Sequence, residues 1–262
     1  MCDVTATTQV LAIANQKGGV AKTTTVASLG AALAELGNKV LLVDLDPQAC
    51  LTFSLGIDPE DLELSVHSVL TKGVDPAEVI IETEDGVDLL PATIELARAE
   101  ADLLTRTGRE HVVKMALEDL STGDAAYDWV LLDCPPSLGV LTVAALTAAR
   151  GVLIPLQCET LSHRGVGQLL DTVHDVRRFT NRKLEVWGVL PTLYDGRTNH
   201  ARAVLQNISE SYGLDVIEPP IPKSIRFAEA PAAGRSILST TRGHRGADAY
   251  RDVAASLTER AG

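Results

Sequence analysis

Cysteine is scarce and scattered. Cys2, Cys50, Cys134 and Cys158 are the only four in 262 residues, and no two stand in CxxC spacing. Neither a zinc knuckle nor a disulfide framework is suggested by that spacing, and buried or partly buried thiols are the ordinary expectation. No apolar run approaches the roughly 18 residues that a membrane span requires. The opening MCDVTATTQV has neither the charged start nor the apolar block of a secretory signal, so a cytoplasmic location is expected. Internal repeats, low-complexity tracts and long linkers are also missing. The stretch GVGQLL, Gly165 to Leu170, lacks the third glycine of a dinucleotide fingerprint, which argues against nicotinamide chemistry.

What is present suits one domain. With 45% hydrophobic residues the chain can bury a substantial core, and residues 9–262 read as a single α/β unit behind a loose tail, residues 1–8. The formal charge of −12 is unevenly spread. Residues 1–150 carry 9 Lys and Arg against 23 Asp and Glu, whereas residues 151–262 carry 14 against 12. A local basic face on the C-terminal part therefore stays open.

Six apolar runs, VLAIAN, KVLLVDLD, VDLLPA, WVLLDCPP, GVLIPLQ and VWGVLPTLY, are each followed by a helical pattern. Continuous Val, Ile and Leu runs alternating with helices predict a doubly wound, mostly parallel sheet with helices on both faces. In the first helix Val26, Leu29, Leu33 and Leu36 form one apolar stripe, and Gly37 and Asn38 supply a left-handed stop. Residues 55–85 are acidic and mixed in pattern, and are expected to form short helices over the sheet edge.

The stretch ANQKGGVAKTTTVASLG, from Ala14 to Gly30, comes between a strand and a helix. It nearly satisfies the phosphate-loop pattern G-x-x-x-x-G-K-[ST], in which backbone N–H groups and a helix N-terminus hold phosphate oxygens. Lys22 takes the position that reaches the β- and γ-phosphates, and Thr23 the position that ligates Mg²⁺. Gly18 and Gly19 allow close phosphate approach. A plain glycine turn does not explain a lysine and threonines at the helix start.

Such a site also needs a carboxylate opposite the loop. Asp133 ends the apolar run of YDWVLLDCPPS and is expected to hold the metal through water. In KVLLVDLDPQ the alternation of strand side chains puts Asp44 and Asp46 on one face, at the sheet edge where α/β proteins bind ligands. Asp46 is the candidate for orienting or deprotonating the attacking water, and Asp44 for supporting the metal's hydration shell. A solvated acidic turn before Pro47 is the plainer alternative.

With NQKGGVAKTTT, LLVDLDPQA, YDWVLLDCPPSLG, IPLQCE, YDGRTN, IPKSIRFAEAP and RGADAY in one order, the chain resembles the ParA/Soj family of deviant-Walker P-loop ATPases, without an N-terminal helix-turn-helix. The resemblance runs from Val10 to the C-terminus. It implies ATP and Mg²⁺ as cofactors, a phosphate cradle over Lys17, Gly18, Gly19, Val20, Ala21, Lys22, Thr23 and Thr24, and a homodimer formed when ATP is bound. Lys17 matches the family's signature lysine, which reaches the partner's nucleotide; a further cation there stabilises charge that spreads during hydrolysis. Gln16 is an ordinary occupant of its position. Ala21 departs from the family glycine: its backbone must suit a residue with a Cβ, and nucleotide binding is expected to survive with altered affinity or turnover. DCPPSLG looks like the family's switch II.

The resemblance further implies adenine contacts from the loop Pro222 to Ile225, where Ser224 replaces the commoner Asn. It implies non-specific DNA binding by Arg197, Lys223 and Arg226, with Arg242 and Arg245 as additions, and stimulation by a ParB-like protein in chromosome or plasmid partition. In LSHRG, Leu161 to Gly165, Arg164 reverses a charge common among relatives. The alternatives are a paralogue positioning another cargo, or a membrane-surface ATPase of the MinD type, which normally needs a basic amphipathic C-terminal helix. An iron–sulfur carrier on the same fold would need a clustered cysteine pair.

Overall fold

The computed structural model describes residues 8–118, 120, 126–159 and 162–261. Residues 1–7 of the expected tail, with Cys2, and Leu161 of the LSHRG stretch lie outside the described residues. Thr8 is not part of a loose tail: its hydroxyl donates to the Tyr127 carbonyl at 2.7 Å.

Seven strands form one sheet: β1 Gln9–Ile13, β2 Val40–Asp44, β3 Ile81–Glu82, β4 Asp88–Leu90, β5 Trp129–Asp133, β6 Gly151–Gln157 and β7 Glu185–Thr192. Their spatial order is β3-β4-β2-β5-β1-β6-β7. Every pairing is parallel except the short β3 against β4 at the edge. The six apolar runs are the six parallel strands. The acidic region holds more than the expected helices, because Ile81 and Glu82 pair with Leu89 and Asp88.

The helices are α1 Lys22–Glu35, α2 Cys50–Ser54, α3 Val66–Lys72, α4 Leu96–Leu104, α5 Val112–Glu118, α6 Val140–Ala148, α7 Ser162–Phe179, α8 Asn199–Tyr212, α9 Arg226–Glu229, α10 Ile237–Thr240 and α11 Arg245–Ala261. They lie on both sheet faces, and strand alternation feeds both. Leu11, Leu42 and Leu131 pack with α1 and α11, whereas Ala12, Leu41 and Leu132 pack with α4, α6 and α7. A run that is apolar at every position thus supplies two cores at once.

Helix α1 passes close over β2, where a Cβ on Gly30 would stand 2.6 Å from the Leu42 side chain. Val26, Leu29 and Leu33 are fully buried, but Leu36 is 52% exposed because α1 ends at Glu35, before the stripe completes another turn. Gly37, at φ 89°, makes the expected left-handed stop, and the Asn38 amide caps it by donating to the Leu33 carbonyl at 2.9 Å.

Candidate functional site

Strands β1, β2 and β5 are neighbours, and their C-terminal ends bring three segments together. The first is the loop of residues 14–21, which β6 and β7 hold from the side. The Asn15 amide donates to the Pro155 carbonyl at 2.8 Å while its oxygen accepts the Lys17 N–H at 3.0 Å. The buried Thr192 hydroxyl donates to the Val20 carbonyl at 2.9 Å. A Cβ on Gly18 or Gly19 would meet no atom within 4 Å, so the loop keeps an open concavity at the start of α1. Gly19 has φ 73°. Ala21 has φ 61° and ψ 35°, in the left-handed region. The backbone requirement that a Cβ imposes is thus met only at a cost: the position favours glycine, and alanine there costs about 1–2 kcal/mol.

Lys22 is 7% exposed, and its ammonium donates to the Lys17 carbonyl at 3.3 Å. Burial lowers its pKa, opposed by the nearby Asp133 and Asp46 carboxyls. The cation therefore sits in the loop's mouth with carboxylates close by, where phosphate oxygens would stabilise it further. Thr23 and Thr24 are partly exposed in the first turn of α1. Thr25 is buried, its hydroxyl 3.0 Å from the Tyr250 hydroxyl of α11.

The second and third segments carry the carboxylates. Asp44 and Asp133 are register partners at the ends of β2 and β5, and both are fully buried. Asp44 is closed off by the protein: Oδ2 accepts from the Thr52 N–H at 2.9 Å and the Thr52 hydroxyl at 2.8 Å, and Oδ1 from the Asp46 N–H at 3.1 Å. Burial pushes it up to about 6 against those bonds. Asp44 thus holds the turn that presents Asp46. Asp46 is partly exposed and accepts from the Gln48 N–H at 3.0 Å.

Asp133 is the opposite case. Neither of its oxygens has a hydrogen-bond partner among the described residues. Burial and the neighbouring Asp44 push its carboxyl well above the usual range, with the Thr23 hydroxyl and Lys22 pulling the other way. An orphaned buried carboxylate beside a helix-start threonine is a hard-oxygen donor set, and it fits Mg²⁺.

Lys17 stands at the mouth of the loop and forms an ion pair with Glu159, just beyond β6. Both are partly exposed. Glu159 lies in the quoted IPLQCE run, yet nothing in its spacing marks it as a lysine partner. Asn15, Thr52 and Thr192 are similarly silent in sequence, being single polar residues in apolar runs or short helices. Cys134 is buried and Cys158 half-buried, but Cys50 is exposed, against expectation.

A family profile described as an AAA domain matches residues 8–186. The chain is 43% identical to the sporulation initiation inhibitor protein Soj of Bacillus subtilis, over 94% of this chain and 96% of that one. It is 40% identical to the chromosome partitioning protein ParA of Caulobacter vibrioides, over 96% and 94%. The chain belongs to the ParA/Soj family of partition ATPases. Among solved structures, the cobyrinic acid a,c-diamide synthase of Mycobacterium smegmatis with bound ATP analogue and magnesium superposes with a TM-score of 0.86, at 55% identity over 97% of this chain and 95% of that one.

The ParA/Soj residues expected outside the phosphate loop are placed less favourably. Pro222 lines a cleft of about 790 Å³ together with Arg197, Lys223 and Arg245. The Ser224 oxygen accepts from the Arg226 N–H at 3.2 Å and lies 3.2 Å from His244 Nε2, so its hydroxyl is already engaged inside the protein. Arg197 is exposed, but both arms of its guanidinium bond Asp195 at 2.8 Å, which holds that carboxyl down to about 2. Arg226 pairs with Glu229 at 2.8 Å. Arg242 gives its backbone carbonyl to Arg251. The expected DNA residues are therefore near one another in part, with their two arginines each matched by an acid.

Proposed function

We propose that the protein is an ATP-dependent dimerising switch. It binds Mg-ATP in the phosphate loop, pairs with a second copy across the nucleotide edge, and binds DNA without sequence preference in that state. A ParB-like partner stimulates hydrolysis, and the cycle partitions chromosomes or plasmids, or positions another cargo, in the cytoplasm and on the nucleoid. The observation that supports this reading is the pair of lysines in one loop: Lys22 buried against the loop carbonyl, and Lys17 at the exposed mouth where another molecule can be reached.

Mg²⁺, held by the Thr23 hydroxyl and by Asp133 through water, would neutralise charge on the β- and γ-phosphates. The chain's own residues do the rest. Lys22 and the backbone N–H groups of residues 17–24 hold and orient the phosphates; Asp46 orients or deprotonates the attacking water. Asp44 and Thr52 fix the turn carrying Asp46. Lys17 places a further cation on the charge that develops, in the partner's site. Pro222 and the backbone of its loop flank the adenine.

A membrane-surface role of the MinD type finds no support in α11. Its apolar residues Ala247, Tyr250, Val253, Ala254 and Leu257 are buried, on the side that packs against α1. No helix among the described residues is long and apolar enough to cross a membrane.

Light scattering on an Asp46→Ala variant tests the reading. A mass that doubles with saturating Mg-ATP, and not with Mg-ADP, is expected; a monomer in both rejects the switch. Hydrolysis that needs no acid acceptor separates it from an amide-forming synthase, the activity in the name of the Mycobacterium smegmatis neighbour.

A further inference from the structure

The sheet's other end carries a concentration of charge that the switch leaves unused. A cleft of about 890 Å³ opens at the N-terminal ends of β1, β6 and β7. Lys114 of α5, Arg150 ahead of β6, Arg177 of α7, and Arg182 and Lys183 in the turn into β7 line it, and among the described residues Glu185 is the one carboxylate beside them. All five cations are exposed, and none is in an ion pair among the described residues. This differs from Arg197 and Arg226, each of which has its acid.

Two of the arginines are held in place by the protein. Arg150 donates to the Gln9 side chain at 3.0 Å and Arg177 to the Leu184 carbonyl at 2.7 Å, each keeping further N–H donors. Among the described residues no aromatic lines the cleft, so these residues offer charge and donors but no stacking surface for bases.

We infer that this cleft is a second contact surface for the phosphate backbone of duplex DNA. A chain of net charge −12 repels a polyanion at long range, and contact then requires cations gathered on one face. Arginine forks match phosphate oxygens, and neutralising them releases counterions. A lipid surface would call for a rim of inserting apolar side chains, and a groove-bound peptide for apolar pockets. The choice of DNA among polyanions rests on the partition reading; the concentration of cations does not. In a dimer joined at the nucleotide edge the two copies of this cleft would lie at the outer ends, so one dimer would hold DNA at separated places.

Fluorescence anisotropy of a labelled duplex of about 24 base pairs, titrated with Mg-ATP protein between ~50 and ~200 mM KCl, tests this. Lys114→Glu, Arg182→Glu and Lys183→Glu are combined, since no hydrogen bond or ion pair of those side chains is seen in the described protein. An Arg197→Glu, Arg226→Glu variant is run beside it. At about 100 mM KCl the triple variant is expected to bind at least ~10-fold more weakly, with the log–log salt slope flattened by about 2–3. Its DNA-free ATP turnover and melting temperature should match the unmodified protein. Unchanged affinity and slope overturn the inference, and leave the partition reading standing if the Arg197, Arg226 variant has lost binding. No binding by the unmodified protein overturns both. A triple variant that keeps DNA but no longer sediments with phosphatidylglycerol vesicles assigns the cleft to lipid, and also overturns the inference.

Discussion

Asp44 and Asp133 are register partners on adjacent strands, equally buried, and only Asp44 has its oxygens satisfied by the protein. Two carboxyls so close resist ionising together. Held up to about 6 in the fold, Asp44 ionises later there than in the unfolded chain, where a carboxyl of this kind titrates near 4. The pair therefore favours the folded state at low pH, and that contribution is lost as pH rises from about 4 through about 6. The neighbouring Asp44 charge then holds the Asp133 carboxyl still further from ionising, and bound Mg²⁺ would favour its ionised form.

Replacing the Asp133 carboxyl separates the cost of burying it from its use in holding metal. Without nucleotide, Asp133→Asn is expected to melt above the unmodified protein at pH 8, by roughly 2–4 °C for each kcal/mol regained, with the difference shrinking towards pH 4. The upward shift that Mg-ATP gives the unmodified protein should be largely absent. Melting scans across pH, with and without Mg-ATP, read both.

Ala21 carries strain that glycine would not. Ala21→Gly should stabilise the protein by up to about 1 kcal/mol, because relief of the left-handed conformation exceeds the extra entropy glycine gives the unfolded chain. Ala21→Val should destabilise by ~2 kcal/mol or more. Urea unfolding without nucleotide measures both.

Thr192 positions the loop from β7, through its hydroxyl bond to the Val20 carbonyl. Thr192→Val leaves the Val20 carbonyl short of its side-chain donor, expected to cost about 1–3 kcal/mol. The loosened loop should raise KM for ATP more than it lowers kcat, with Thr192→Ser restoring KM. A purely structural role would lower stability and leave KM unmoved.

The sheet was legible because the parallel strands are runs dominated by Val, Leu and Ile, two of them closed by Asp44 and Asp133, and the phosphate loop because lysine and threonine follow glycines at a fixed spacing. Strand β3 was not, since two residues at an edge make no pattern. Leu36 shows the limit of periodicity: spacing gives a stripe but not where the helix stops. The backbone at Ala21 and the Lys17–Glu159 pair were also beyond reach. One is a torsion angle, and the other joins residues 142 positions apart.

That ion pair leads to the last prediction. Lys17 and Glu159 are each partly exposed, and a pair of this kind contributes only about 0–1 kcal/mol to folding. Lys17→Ala and Glu159→Gln should therefore unfold within about 1 kcal/mol of the unmodified protein. Their association should differ sharply if Lys17 serves a second copy. Lys17→Ala in an Asp46→Ala background is expected to stay monomeric with Mg-ATP, because the cation that joins the copies is gone. Glu159→Gln in the same background keeps the cation and frees it from its own protomer's carboxylate, so it should dimerise at equal or lower protein concentration. Sedimentation equilibrium at matched Mg-ATP orders the three proteins. Equal dimerisation by Lys17→Ala and its parent would remove this lysine from the interface.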